Sequence, residues 1–213
     1  MEKKAEDYYA QSRGEMLPFV PASAKCILEV GCGRGGFGRL LRTGERELWG
    51  LDINPEVEAE AAQVYDRVMI GSVDELAGRL PAGRFDCIVC NDVLEHLLWP
   101  GRVLERLRTL LAPGGVVVAS PPNIRYIDVF VKEMLWQQDF RYRPEGGVLD
   151  DTHFRFFTSK SMLRLFDEAG YRVLRHTGVR PCKSWKEKLL IACSCGLLSD
   201  CRYRCFATVA CPK

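Results

Sequence analysis

Lys25-Cys-Ile-Leu-Glu-Val30, running directly into Gly31-Cys-Gly-Arg-Gly-Gly36, is the stretch that decides the fold. Its first half is a short apolar run with β-branched members, the pattern of a strand buried on both faces. The glycines that follow let the backbone turn sharply, adopt positive φ and pass close to a ligand. Phe37, Leu40 and Leu41 then recur at helical spacing and stop at Thr43-Gly44. A strand, a glycine turn and a helix together open a parallel α/β sheet, in which ligands gather at the carboxyl ends of the strands.

The same alternation continues outward. Further strands are read at Glu47-Leu-Trp-Gly-Leu51, Arg67-Val-Met-Ile70, Phe85-Asp-Cys-Ile-Val-Cys90 and Val116-Val-Val-Ala119. Asn54-Pro55-Glu56 has the order of an N-cap, a first-turn proline and an acid favoured by the helix dipole. Ser72 and Glu75 have capping-box spacing. After Asn91-Asp92 comes a helical stretch interrupted near Pro100, then an amphipathic helix carrying Val103, Leu104, Leu107, Leu110 and Leu111, closed by Pro113-Gly114-Gly115. Thr158 is placed to cap a helix bearing Met162, Leu163, Leu165 and Phe166, which Gly170 stops. Two last strands follow at residues 171–179 and 204–210, with a short helix between them.

This order predicts an α/β fold, a Rossmann-like, seven-stranded, mostly parallel sheet with helices on both faces. It forms a single domain, with residues 1–23 as a helical lid, 24–120 as a ligand-binding core, 121–157 as an inserted helical and aromatic cap, and 158–213 as the closing helix and strands. Asp52 ends the second strand about 20 residues after the glycine turn, where a carboxylate can accept the hydroxyls of a ribose. Taken alone, Gly31-x-Gly33-x-x-Gly36 satisfies the dinucleotide fingerprint as well, so a nicotinamide or flavin enzyme stays open on these residues.

The ordered set of motifs resembles the class I S-adenosylmethionine-dependent methyltransferase superfamily. The matching blocks are Leu28-Glu-Val-Gly-Cys-Gly-Arg-Gly35, Gly50-Leu-Asp-Ile53, Phe85-Asp-Cys-Ile-Val89, Asn91-Asp-Val-Leu-Glu-His-Leu97 and Leu111-Ala-Pro-Gly-Gly115. The resemblance implies S-adenosylmethionine as cofactor, held by Glu29, Gly31, Gly33, Gly35, Asp52, Ile53, Ser72, Val73, Asn91 and Arg13. In it Glu29 supports the turn, Asp52 takes the ribose, and Asn91 faces the methionine amino end. Many relatives carry Gly-Asp where this chain has Gly71-Ser72, and the main role expected of Ser72 is to cap the next helix. A dehydrogenase would need a substrate domain for which 213 residues leave little room.

A subgroup of bacterial methyltransferases, many linked to glycan and secondary-metabolite biosynthesis, is similar around Leu149-Asp-Asp-Thr-His-Phe-Arg-Phe-Phe-Thr158, Ser120-Pro-Pro-Asn-Ile124 and Tyr8-Tyr9…Arg13. The expected reaction is methyl transfer to a hydroxyl of a small molecule such as a sugar, nucleotide-sugar or secondary metabolite. With three histidines in the chain, the search for a general base is short. His153 leads, with Asp150 or Asp151 to orient it, and its plainer role is shaping the cap through backbone bonds. His96, one turn beyond Asn91-Asp92, is the second candidate, with a partly buried structural histidine as its alternative. His176, in a late strand, reads as structural. Trp136, Tyr142 and Arg155 are the expected acceptor contacts, since aromatic faces stack on rings and guanidinium groups suit anions.

Composition narrows the partners. A net charge of +2 gives no broad field for nucleic acid or anionic lipid. No apolar run reaches membrane-spanning length, and Met1-Glu-Lys-Lys-Ala-Glu-Asp7 lacks the apolar stretch of an export signal, so a cytoplasmic monomer or homodimer is expected. The ten cysteines crowd toward the tail without paired Cys-x-x-Cys spacing, and neither disulfides nor a metal is expected.

Overall fold

The computed structural model describes residues 12–129, 131, 142 and 148–213. Seven strands form one sheet: β1 (Cys26–Val30), β2 (Glu47–Asp52), β3 (Arg67–Ile70), β4 (Phe85–Cys90), β5 (Leu111–Ala119), β6 (Tyr171–Pro181) and β7 (Tyr203–Pro212). Their order across the sheet is β3-β2-β1-β4-β5-β7-β6. The first five strands pair in parallel, and β7 runs antiparallel to both β5 and β6. The helices are α1 (Gly36–Leu41), α2 (Glu58–Ala61), α3 (Val73–Leu76), α4 (Pro100–Leu110), α5 (Ile127–Val129), α6 (Ser159–Glu168) and α7 (Trp185–Cys193).

Alternation along the central strands builds a core on each face. Leu28, Val30, Ile88, Cys90, Val117 and Ala119 pack on one side with Leu104 and Leu107 of α4 and Phe166 of α6. Ile27, Cys87, Val89, Val116 and Val118 face the other side with Phe37 and Leu41 of α1. Each fully buried valine, leucine, isoleucine or phenylalanine among them contributes roughly 1.5–3 kcal/mol of hydrophobic stabilisation. Thr158 caps α6 through a reciprocal box with Ser161, as its position after the cap segment predicts. Asn54 accepts from the Glu56 amide ahead of Pro55, and Ser72 accepts from the Asp74 amide, so both caps form.

Three details differ from the sequence reading. Pro113-Gly114-Gly115 does not separate a helix from a strand. Helix α4 ends at Leu110 and β5 begins at once, with the proline and glycines inside a register shift opposite residues 85–87. A bulge tolerates both proline and a glycine at positive φ. Pro100 is the first residue of α4 rather than an interruption, since a helix's first turn has no use for its missing N–H. Cys26 is half-buried rather than a core residue. Residues 14–19 form a 3-10 turn, and the rest of the expected lid at residues 1–11 lies outside the described residues.

Four of the tail cysteines, Cys182, Cys201, Cys205 and Cys211, are buried as free thiols; Cys182 and Cys201 pack with Ile127 in a small separate cluster. Among the described residues, no helix is long and apolar enough to cross a membrane.

Candidate active site

The chain reverses its direction of growth across the sheet between β1 and β4, and the crevice at such a reversal is where open α/β sheets bind ligands. Register aligns the residues there. Val30 pairs with Leu51 and with Cys90, and Cys90 pairs with Ala119. The next residues on these strands, Gly31, Asp52, Asn91 and Ser120, therefore stand in a row along one edge.

At the glycine turn, Gly31, Gly33 and Gly35 all have positive φ. A Cβ on Gly31 would lie 2.7 Å from Val93 Cγ2, and one on Gly35 would lie 2.8 Å from Val64. Asp52 is buried and accepts hydrogen bonds from the Gly33 amide at 2.8 Å and the Asn54 amide at 2.9 Å. A carboxylate has about four acceptor positions, so this leaves half its capacity. Ile53 beside it is 71% exposed, an apolar side chain held out over the edge. Gly71 follows Ile70, the register partner of Asp52, so Ser72 and buried Val73 flank the same end.

Glu29 is buried beside the turn and has a partner the sequence did not suggest. Its carboxylate accepts from the Tyr65 hydroxyl at 2.6 Å. The Tyr65 ring occupies the space a side chain on Gly50 would need, and its hydroxyl that of one on Gly38. Burial pushes the Glu29 carboxyl up to about 8, against the lowering effect of the tyrosine bond. The phenol in turn is held well above its usual range by burial and by the neighbouring glutamate.

Arg13 sits where β4 and β5 end. Its guanidinium pairs with Asp92 and with Glu15, and donates to Ser120 Oγ at 2.8 Å. Ser120 Oγ donates to Asn91 Oδ1 at 3.1 Å, while Asn91 Nδ2 is buried with no partner. Asp92 has φ +50°, a strained conformation for a non-glycine residue and one that clusters at functional sites.

Beyond this network the cap segment docks on the turn after β4. The Phe154 and Arg155 amides both donate to the Glu95 carbonyl, at 2.8 and 3.0 Å. This brings His153 against His96, ring centroids 4.7 Å apart and edge to face. One ring nitrogen of each, and a carboxylate oxygen of Glu95, all lie within 4.8 Å of one another. His153 Nδ1 is 3.0 Å from the Val148 carbonyl, and His96 Nδ1 is 3.1 Å from the Thr152 carbonyl. A carbonyl only accepts, so each Nδ1 carries a proton and donates it there. Asp150 accepts from the Thr152 amide and hydroxyl, at 2.9 and 2.5 Å, and holds the loop; Asp151 is exposed.

His176 hydrogen-bonds Ser159 and Thr208 and stacks on Phe206, with its pKa lowered by burial, as suits a structural residue. Arg155 donates to the Phe154 carbonyl at 2.9 Å and to the Leu98 carbonyl, and lies over the Trp99 ring. Tyr142 is exposed and tilted against Phe156. Trp136 lies outside the described residues. Glu95 and Tyr65 are the residues that sequence reasoning passed over. The Glu-His pair within residues 91–97 was a usable signal for Glu95, and nothing in the sequence pointed to Tyr65.

With this geometry in view, likeness to known proteins is informative. A family model described as "Methyltransferase domain" matches residues 1–176. A ubiquinone biosynthesis O-methyltransferase of Psychrobacter cryohalolentis is 27% identical over 130 residues, 58% of this chain and 51% of that protein. One from Azotobacter vinelandii is 32% identical over 110 residues, covering 49% and 47%. The chain spans about half the length of the curated relatives it matches. Among solved structures, a SAM-dependent methyltransferase from Archaeoglobus fulgidus superposes with a TM-score of 0.71 at 17% identity, covering 92% of this chain and 90% of that one. The 1,6-didemethyltoxoflavin-N1-methyltransferase of Burkholderia thailandensis, solved with S-adenosylhomocysteine, gives 0.57 at 19% identity, covering 89% and 71%. At such identities the structural likeness is one of fold, and it is the Rossmann-like fold expected here. The family match extends across the glycine turn, Asp52, the residues after β4 and the docked cap: the chain belongs to the methyltransferase domain family.

Proposed function

We propose that this chain transfers a methyl group from S-adenosylmethionine to a hydroxyl oxygen of a small-molecule acceptor, a sugar, nucleotide-sugar or secondary metabolite. Hydroxyl chemistry is favoured by one observation above the rest. The cap places His153, His96 and buried Glu95 together immediately beyond Val93, the side chain that touches the glycine turn. An amine with a free lone pair needs no such cluster, whereas a hydroxyl must lose its proton as it attacks. The relatives named as O-methyltransferases agree with that chemistry.

The residues present fit the cofactor. Asp52 keeps acceptor capacity for a ribose, exposed Ile53 offers an apolar face for adenine, and the turn has no room for side chains at Gly31 and Gly35. The unpartnered Asn91 Nδ2 is a buried donor in need of an acceptor, which a carboxylate or an ordered water would supply. When bound, S-adenosylmethionine supplies an electrophilic methyl carbon on a sulfonium.

The chain's part is alignment, exclusion of water and proton removal. Arg13 fixes the ends of β4 and β5, and so the frame on which Asn91 stands. The cap covers the reaction centre from the side of residues 148–157. His153 Nε2 receives the acceptor's proton, with the Val148 carbonyl holding Nδ1 on the far side of the ring. His96 Nε2 and Glu95 stabilise the resulting charge. Tyr142, Trp136 and Arg155 remain our acceptor contacts, and the near-neutral net charge supports a small acceptor over a nucleic acid.

The test is His153→Ala, assayed by methyl transfer over a panel of sugar nucleotides and phenols. Turnover should fall by roughly two orders of magnitude or more while cofactor affinity stays nearly unchanged. Near-normal turnover would remove His153 from the chemistry.

A further inference from the structure

We propose that Glu95, His96 and His153 bind a first-row divalent cation, a site not anticipated from the residues in order. The proposal rests on the function above, because it gives the same cluster the task of holding the acceptor's oxygen beside a metal. Two imidazoles and one carboxylate are a ligand set found at catalytic zinc and at non-haem iron and manganese centres, where three protein ligands leave positions open for water or substrate. All-oxygen sites suit magnesium and calcium instead.

Geometry supports this on three counts. The candidate ligand atoms lie within 4.8 Å of one another. Tetrahedral ligands about 2.0–2.1 Å from a zinc-sized ion stand roughly 3.4 Å apart, so side-chain torsions need to draw them in by at most about 1.4 Å. Both imidazoles are held from behind by main-chain carbonyls on Nδ1, the outer-sphere arrangement that fixes a metal-binding histidine's tautomer and aims Nε2 at the ion. The two segments are also locked to each other, since the Glu95 carbonyl takes the amides of Phe154 and Arg155. Glu95 and His153 are buried while His96 is half-buried, which leaves an approach from the His96 side.

With an ion bound, the imidazoles act as ligands, and the acceptor hydroxyl becomes acidic by coordination. The role of base then passes from His153 to solvent.

Mn2+ is the probe of choice. Cys193 and Cys195 are exposed thiols that would capture Zn2+ elsewhere on the chain, and manganese has little affinity for sulfur. Chelator-treated full-length protein would be titrated with Mn2+ and followed by electron paramagnetic resonance, with S-adenosylmethionine affinity measured on the same samples. We expect one Mn2+ per chain, weakened at least tenfold in Glu95→Gln and in His96→Ala. His96→Ala, at the least buried member, keeps the test usable if the buried substitution disturbs folding.

Absence of saturable binding at millimolar Mn2+, or equal affinity in both variants and wild type, overturns the site. Methyl transfer that continues undiminished under chelation overturns the catalytic role of the ion and leaves the proposed function standing. Stoichiometric Mn2+ binding without transfer to any hydroxyl acceptor does the reverse: it supports the site and counts against the function.

Discussion

Replacing Glu29 by glutamine should change how the stability of this fold depends on pH, in a direction the structure defines. Burial raises the folded-state pKa of Glu29 from 4.5 to about 8. Between those values the folded chain holds a proton that the unfolded chain has released, so stability falls as pH rises through this window. Below about pH 4.5 both states are protonated and the penalty vanishes; above about pH 8 it is complete. Each pH unit within the window costs about 1.4 kcal/mol, so the loss between pH 5.5 and pH 8.5 is on the order of 3 kcal/mol. Glutamine keeps an oxygen to accept the Tyr65 hydroxyl and does not titrate. Its buried amide adds a fixed cost of roughly 1–3 kcal/mol, which cancels when the two proteins are compared across pH. Urea unfolding followed by circular dichroism at several pH values, with reductant for the thiols, measures the difference. The stability of wild type relative to Glu29→Gln should drop steadily from pH 5.5 to 8.5. Parallel curves over that range would mean that Glu29 is ionised in both states or protonated in both, and not raised by burial in the fold.

Two more substitutions probe the frame of the site. Gly31→Ala places a methyl 2.7 Å from Val93 Cγ2 at a backbone φ of +72°, and should cost about 1–3 kcal/mol in urea unfolding. It should also weaken S-adenosylmethionine binding in calorimetry, because Val93 leads directly into the turn that carries Glu95. Thr158→Ala removes the capping box of α6 and should lower stability by about 0.5–2 kcal/mol, leaving cofactor affinity unchanged.

Much of the architecture could be read from the sequence because its signals are local. Apolar runs that end in glycine, Asp52 or Asn91-Asp92 mark both the strands and the edge where ligands meet them. Ser72 and Thr158 declare their caps through their own side chains. Pro113-Gly114-Gly115 misled because a bulge inside β5 uses the same residues as a helix stop, and only pairing with β4 tells them apart. What the sequence could not supply was contact between distant segments. Tyr65 reaches Glu29 from beyond the second strand, and His153 reaches His96 where the cap's amides dock on the Glu95 carbonyl and Thr152 meets the His96 ring. The Val148 carbonyl, five residues back, that accepts from His153 Nδ1 is likewise a contact the sequence does not announce.

Everything proposed for this chain depends on S-adenosylmethionine binding at the edge formed by Gly31, Asp52 and Asn91. Isothermal titration of the purified chain with S-adenosylmethionine and with S-adenosylhomocysteine tests it most directly. Saturable binding of each at one site per chain is expected, lost or strongly weakened in Asp52→Ala. Absence of binding at millimolar ligand, or binding indifferent to Asp52, would contradict it.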